Sequence, residues 1–400
     1  MPVREAESRP GVTHVLALAE KPGRLVWAGA ERHLRVLLPA LARRGVPVEA
    51  LVLATDPGPV VERGLEEWRQ AGVAVEVLAR RSRGGRPANL PGFALQHLRL
   101  WAALRRRRDR IVHLHLDLFF ATAAAILAGC RRLVFTLHNE EPRPRGALGR
   151  LLVSRWLHVV ARRCARVIAI SERAATHFRG LSGCPREEIA IIEYGIDRPP
   201  GTSATRRSLG WPEAGFVVGF LGRLAPEKNV PALLEAAARC PEVDFVLVGD
   251  GPLRREIERQ LAERGLGNVR LAGRIEDGSA VIPLFDALCL PSHREGLGLV
   301  LVEAMLQGVP VIGSRAGAIP DVLGQGRFGR LFNPDDASAL ARAILEIRER
   351  PLEARVRAER ARRYALERFS VERMAGRTVD VYAEAPAAAA TARRPLAAAT

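Results

Sequence analysis

Lysine is almost absent from this chain. Of 61 basic residues only Lys21 and Lys228 are lysines, and the rest are arginines. Aromatic residues make up 5% of the 400 positions and are not interleaved with the arginines, so no base-stacking platform for nucleic acid is present. The five cysteines, Cys130, Cys164, Cys184, Cys240 and Cys289, are odd in number and include no Cys-x-x-Cys pair. That argues against a disulfide framework or a zinc site, and for a reducing compartment. Long apolar runs are missing too. The longest uncharged stretch of the first half, Leu118 to Cys130, has 13 residues, whereas a membrane-spanning helix needs about 20. The opening MPVREAESRPG has no apolar core of the kind a signal peptide carries. The location these absences imply is the cytoplasm.

What is present is ordinary globular composition, 48% hydrophobic and 26% charged, which excludes a disordered or fibrous chain. At about one domain per ~150 residues, this length predicts two or three domains. The net charge of +17 is lopsided: residues 1–200 carry 33 basic and 19 acidic side chains, residues 201–400 carry 28 and 25. A two-domain protein whose first domain faces an anionic partner fits that asymmetry. Nucleic-acid binding is not expected, because electrostatics alone is weak evidence for it.

Short apolar, β-branched runs alternate with segments whose apolar residues lie three and four apart. Strand-like runs are Val12–Ala19, Val48–Ala54, Val73–Leu78, Ile111–His115, Leu133–His138 and Val167–Ile170. The pattern restarts after residue 213 with Phe216–Leu221, Phe245–Val248, Val269–Ala272, Ala287–Leu290 and Val309–Ile312. Such alternation means parallel sheets with helices on both faces, and here it occurs twice. The expected architecture is α/β: two Rossmann-like, doubly wound domains facing a cleft. The break lies around Ile196–Glu213, rich in Pro, Gly, Ser and Thr. It divides residues 1–197 from 214–370, with 198–213 as linker. A C-terminal helix over 371–384 and an Ala/Pro/Arg tail over 385–400, too simple to pack, complete the chain.

Ligands of such sheets bind outside the carboxyl ends of the strands, so the loops there carry the candidates. After the first strand of the second unit, Gly222 allows close backbone approach. Arg223 and Lys228 put two cations on one strand-to-helix loop, and the helix starting near Asn229 adds its positive end. That set suits a diphosphate. The later run Pro291–Met305 places Glu295 in a loop and Glu303 in the following helix, eight positions apart. The N–H groups near Gly298 and Leu299 sit at that helix start. Two such carboxylates suit the hydroxyls of a sugar and a ribose. In the first unit, Gly29 opens a helix as another anion contact, and His138 stands at a strand end. His113 and His115 share a strand face but lack a third ligand, which makes them a poor metal site; His33 and the remaining histidines read as structural. Gly249-Asp-Gly251 lacks the third glycine of a dinucleotide fingerprint, and neither a Gly-x-x-x-x-Gly-Lys-Ser/Thr loop nor a Gly-x-Ser-x-Gly elbow occurs. Asp335-Asp336 lacks the Asp-x-Asp spacing of a divalent-cation site.

Taken together these motifs resemble the retaining glycosyltransferases of family 4, which have the two-domain GT-B fold, over residues 12 to 382. The resemblance implies that the Gly222-Arg-Leu…Lys228 segment binds the diphosphate of a nucleotide-sugar donor. It implies that Glu303 holds the nucleotide ribose, that Glu295 holds the donor sugar, and that His138 lies near the reacting sugar on the acceptor-side domain. Val248–Pro252 and Ile192–Asp197 resemble two further family signatures. There are two departures: the family's first-domain Gly-Gly reads Ala28-Gly29, and its later Gly-Gly reads Ala316-Gly317.

The reaction so implied is metal-free, cofactor-free transfer of a sugar to an acceptor hydroxyl with retention, in cell-envelope glycan or glycolipid synthesis. Glu295 and His138 orient the sugar. Leu95–Arg110, with its Arg105–Arg108 cluster, and Leu148–Arg166, which carries five arginines, are candidates for an anionic membrane surface on the inner face. The alternative is that both are sheet-packing helices with solvated arginine faces. A GT-B nucleotide-sugar epimerase and a non-catalytic GT-B scaffold also stay open.

Overall fold

The computed structural model describes residues 11–19, 30–55, 58–80, 90–115, 119–138, 146–197, 201–275 and 277–385. The chain divides into two compact units: residues up to Gly195 together with those from Val371 onward, and Ile196–Ser370.

In the first unit, strand and helix alternate strictly. β1 (Val12–Ala19), α1 (Ala30–Arg43), β2 (Val48–Thr55), α2 (Pro59–Gln70) and β3 (Ala74–Arg80) form its first half. α3 (Leu90–Arg105), β4 (Ile111–His115), α4 (Phe120–Leu127), β5 (Arg132–Leu137), α5 (Ala147–Arg163), β6 (Arg166–Ala169), α6 (Glu172–Ser182) and β7 (Ile189–Ile191) follow. All seven strands are parallel, in the order β3-β2-β1-β4-β5-β6-β7. The strands read as near-continuous apolar runs because helices cover both faces; every residue of β4 is buried. Local chemistry sets the helix ends. The Ser171 hydroxyl accepts the Ala174 N–H at the start of α6, and Gly183 (φ 69°) closes it.

The second unit repeats the scheme. It comprises β8 (Phe216–Leu221), α7 (Val230–Arg239), β9 (Val243–Val248), α8 (Arg254–Arg264), β10 (Val269–Gly273) and β11 (Ala287–Leu290). Then come α9 (Leu299–Leu306), β12 (Val311–Ser314), α10 (Ile319–Val322), β13 (Arg330–Phe332), α11 (Ala337–Glu349) and α12 (Pro351–Arg368). Its six strands are parallel in the order β10-β9-β8-β11-β12-β13. Both sheets are doubly wound and Rossmann-like. The short strands β7 and β13, three residues each, carry too little pattern to be read from sequence.

Tertiary packing adds two points. Residues 201–213, read above as part of a linker, lie against the second sheet. Trp211 is buried and stacks on Phe285, while Arg206 donates to the Leu284 carbonyl and pairs with Asp286 at 2.8 Å. The last helix, α13 (Val371–Glu384), returns to the first unit. Val371, Met374, Ala375, Val381 and Tyr382 join the core formed by α1, α2 and one face of the first sheet. Arg44 donates to the Glu372 carbonyl at 2.8 Å. Residues 386–400, the expected tail, lie outside the described residues.

Candidate active site

In the second unit the winding reverses between β8 and β11, so the crevice at the carboxyl ends of these two strands is where a ligand of this fold sits. The loops after them are tied together. The His293 N–H donates to the Glu227 carbonyl at 2.9 Å. Lys228 Nζ reaches Glu295 Oε2 at 2.5 Å, with the two side chains 21% and 16% exposed. Ser292 Oγ donates to the same carboxylate oxygen at 3.1 Å. The loop that carries Lys228 is a tight turn over Pro226–Lys228, followed by Asn229 in the left-handed region (φ 51°), and α7 starts one residue later. Arg223 is exposed on the same loop, and Glu303 is buried in α9. Gly298 caps α9 with φ 80° and is buried, while Leu299 opens the helix. The residues read from sequence as donor contacts in this unit, Arg223, Lys228, Glu295, Gly298, Leu299 and Glu303, thus all lie on the two loops at the switch point or on the helix that follows. Gly29 lies outside the described residues.

Glycines shape this crevice. A Cβ at Gly317 would stand 2.0 Å from the Glu295 carbonyl oxygen, at φ 57°. The Ala318 N–H donates to that same oxygen at 3.1 Å, so the 316–318 turn clamps the Glu295 backbone. Of the Ala316-Gly317 pair only the second position needs glycine; Ala316 is not among the residues with positive φ. Gly317→Ala is therefore expected to cost about 2–4 kcal/mol through overpacking and left-handed strain. It should also displace Glu295, seen as a lowered thermal midpoint together with lost donor-induced stabilisation. Gly249 and Gly251, read above as an incomplete dinucleotide motif, have a packing reason. Cβ atoms there would stand 1.8 Å from the Gly222 carbonyl and 2.4 Å from the Leu224 carbonyl. They press the 248–252 loop against the 222–224 loop, where the Leu224 N–H donates to the Asp250 carbonyl at 3.0 Å.

In the first unit His138 directly follows β5, buried. Both its ring nitrogens are engaged: Nδ1 with Tyr194 Oη at 2.6 Å, Nε2 with His115 Nδ1 at 3.1 Å. The series continues through His115 Nε2 to His14 Nδ1 at 3.0 Å, then His14 Nε2 to Tyr382 Oη at 3.3 Å. From Tyr382 Oη it runs to His113 Nδ1 at 2.7 Å and from His113 Nε2 to Thr136 Oγ1 at 2.6 Å. One direction satisfies every bond: Tyr194 donates to His138, each Nε2–H donates onward, and Thr136 accepts the last. The reverse direction satisfies them equally. In either case every histidine is neutral with one N–H. Burial lowers the pKa of His14 to about 3 and that of His33, whose ring stacks on Tyr194, also to about 3. Burial first, and neighbouring imidazoles second, hold His113, His115 and His138 well below the usual histidine value.

This series agrees with a structural role for these histidines, but it corrects the view that His113 and His115 have no third imidazole beside them. The signal was His14 on β1, which pairs in register with His113 and so supplies the third imidazole. Nitrogens of His14, His113 and His115 lie within 4.8 Å of one another. A metal does not fit them as they are arranged, because every ring nitrogen of the three already serves a hydrogen bond. The Arg105–Arg108 cluster is also redefined. Arg107 is half-spent on structure, pairing with Glu49 and with Glu76 at 2.6 Å, while Arg106 and Arg108 face Glu76 and Asp109 at 3.8 and 3.7 Å.

Two family models cover most of the chain: one described as "Glycosyltransferase Family 4" matches residues 27–198, and one described as "Glycosyl transferases group 1" matches residues 202–365. The chain is 30% identical over 302 residues to the 2-deoxystreptamine glucosyltransferase of Streptomyces kanamyceticus, covering 68% of this chain and 77% of that one. It belongs to glycosyltransferase family 4. The enzyme is also 28% identical over 410 residues to the D-inositol 3-phosphate glycosyltransferase of Saccharomonospora viridis, covering 92% of each. Among solved structures, the Anabaena protein Alr3699/HepE in complex with UDP-glucose matches it with a TM-score of 0.76 at 25% identity, over 93% of this chain and 99% of that one. The two doubly wound units of this glycosyltransferase are thus those of the GT-B fold. No helix among the described residues is long and apolar enough to cross a membrane.

Proposed function

We propose that this glycosyltransferase moves a sugar from a nucleotide-diphosphate sugar to a hydroxyl of a glycan or lipid-linked acceptor, with retention and without a metal, in cell-envelope glycan or glycolipid synthesis. The observation that supports the donor site is the Lys228–Glu295 pair at the β8/β11 switch point. Without donor, each charge neutralises the other. A donor diphosphate takes Lys228 and Arg223, together with the N–H groups at the start of α9. Glu295 is then released to accept hydrogen bonds from the donor sugar, while Glu303 holds the ribose. The bond from the anomeric carbon to the diphosphate breaks, and the acceptor oxygen bonds to that carbon from the same face. The acceptor proton leaves on the departing phosphate. His138 orients the sugar in this reading, which requires one of its two ring partners, Tyr194 or His115, to yield.

The relatives are named transferases, which sets the epimerase and scaffold readings aside. The Anabaena neighbour holds UDP-glucose, so UDP-linked sugars lead a thermal-shift panel that also includes GDP, ADP and dTDP donors. A donor at ~100 times its dissociation constant should stabilise the protein by about 2.7 kcal/mol. Lys228→Ala deletes a charge-assisted contact of about 1.5–3 kcal/mol and should weaken donor binding roughly ten- to hundredfold. Normal binding and turnover in that variant would refute the assignment. The anomeric configuration of the product, and the rate with a chelator present, test retention and metal independence. Two relatives are named for small polyhydroxylated acceptors, and 2-deoxystreptamine and inositol 3-phosphate belong in the acceptor panel beside lipid-linked sugars.

A further inference from the structure

The second sheet has an edge that the donor crevice does not use. Lys228 and Glu295 follow the carboxyl ends of β8 and β11, whereas Val311 opens β12 and Arg330 opens β13 at their amino ends. Because all six strands are parallel, these are opposite edges of one sheet. A small pocket lies at the amino edge, walled by Phe328, Ile347 and Ala354, and the charged residues lining it are Arg330 and Arg357. It has room for about one water-sized group. Arg350 and Glu353 line the adjoining depression and face each other at 3.8 Å.

The protein leaves both guanidiniums of the pocket incompletely satisfied. Arg330 pairs through Nη2 with Glu346, but its Nε is buried and has no hydrogen-bond partner among the described residues. Arg357 is half-buried and makes no hydrogen bond or ion pair among them. Its place in the helix explains the burial. Arg357 lies three positions from Ala354 and four from Ala361, on the buried alanine stripe of α12. An exposed arginine such as Arg355 is solvated by water and needs no partner. One held in a buried stripe beside another cation destabilises the fold unless an anion joins it. Burial first, Arg357 next and then Arg350 lower the pKa of Arg330, with Glu353 opposing. Charge of one sign therefore faces itself across the pocket even with Glu346 in place.

We infer that this pocket binds a small oxyanion, inorganic phosphate or the phosphate of a monoester, between the guanidiniums of Arg330 and Arg357. Guanidinium forks match phosphate oxygens in charge and in hydrogen-bond geometry. One oxygen enters the pocket and accepts the open Nε–H of Arg330, while Arg357 donates to another. The apolar walls strengthen both contacts by lowering the local dielectric. A neutral sugar would leave the two charges uncompensated, and a cation would add a third. The site shares no residue with the donor crevice, so it stands or falls independently of the reaction proposed above.

The test is calorimetric titration of the full chain with inorganic phosphate and with glycerol 3-phosphate, ionic strength being held constant with chloride. At least one of the two should bind saturably, and the tighter one identifies the source as free phosphate or a phosphomonoester. Lys228→Ala, which weakens the donor crevice, should keep this binding. Adding Arg357→Gln to it should weaken the binding about tenfold or more. Since Arg357 has no partner to lose, Arg357→Gln alone should melt in chloride no lower than the wild type. The inference is overturned if neither ligand binds beyond chloride, or if Arg357→Gln leaves the affinity unchanged. Loss of all binding in Lys228→Ala would overturn it by placing the phosphate in the donor crevice. A lowered midpoint in Arg357→Gln would do the same by giving Arg357 a structural role.

Discussion

Lowering the pH from 8 to 5.5 should remove several kcal/mol of stability from the first unit. Five buried imidazoles, His14, His33, His113, His115 and His138, are neutral in the folded chain, with pKa values pushed down by burial. In the unfolded chain each returns to about 6.5. Below that pH the unfolded state binds protons that the folded state refuses, so stability rises with pH through this window and is lost as pH falls. One unit below 6.5, each histidine contributes about 1.4 kcal/mol to that loss. Domains are stable by only about 5–15 kcal/mol, so a sharp acid transition should appear well above the range in which carboxylates titrate. Thermal melts from pH 8 to pH 5 measure it directly. His33→Phe, which keeps a ring against Tyr194 and removes one titrating group, should narrow the gap between the pH 8 and pH 5.5 stabilities by about 1.4 kcal/mol. A thermal midpoint flat across this range would show that the cluster is not held neutral.

Ending the chain after Ser370 should unfold the first unit, although the deleted residues lie farthest from it in sequence. The helix α13 supplies Val371, Met374, Val381 and Tyr382 to that unit's core. At about 1.5–3 kcal/mol for each large side chain withdrawn from water, these four contribute about 6–12 kcal/mol, comparable with the whole stability of a domain. Tyr382 also closes the histidine series through His14 and His113. The truncated protein should therefore lose soluble yield and near-UV ellipticity. Its second unit should keep a cooperative melt, because no residue of Ile196–Ser370 is removed. Undiminished stability of the first unit in the truncated chain would contradict the packing described for α13. The milder Tyr382→Phe keeps the ring volume and removes only the hydroxyl, so it separates packing from hydrogen bonding.

Much of this was legible in the residues. Parallel strands covered on both faces read as apolar runs because most of their positions are withdrawn from water, so eleven of the thirteen strands among the described residues could be located from those runs and their alternation with helical segments. The loops after β8 and β11 were legible for a different reason. Unusual residues there, one of only two lysines and two carboxylates flanking Gly298, have no role in packing a sheet. The strands β7 and β13 were not legible, because three residues carry no periodicity.

Local pattern thus determined two doubly wound units and the loops on which the residues proposed to bind the donor lie. It could not determine partners that distant segments supply. That Lys228 closes on Glu295 follows from the switch point, which sets β8 beside β11. That Gly317 must lack a side chain follows from a carbonyl 22 positions earlier. Nor could His14, His113, His115 and His138 be known as one hydrogen-bonded series from their own strands. They share a face only through the β1-β4-β5 register, and the series is closed by a tyrosine from the last helix. Burial decides their protonation, and burial is a property of the assembled core rather than of any segment within it.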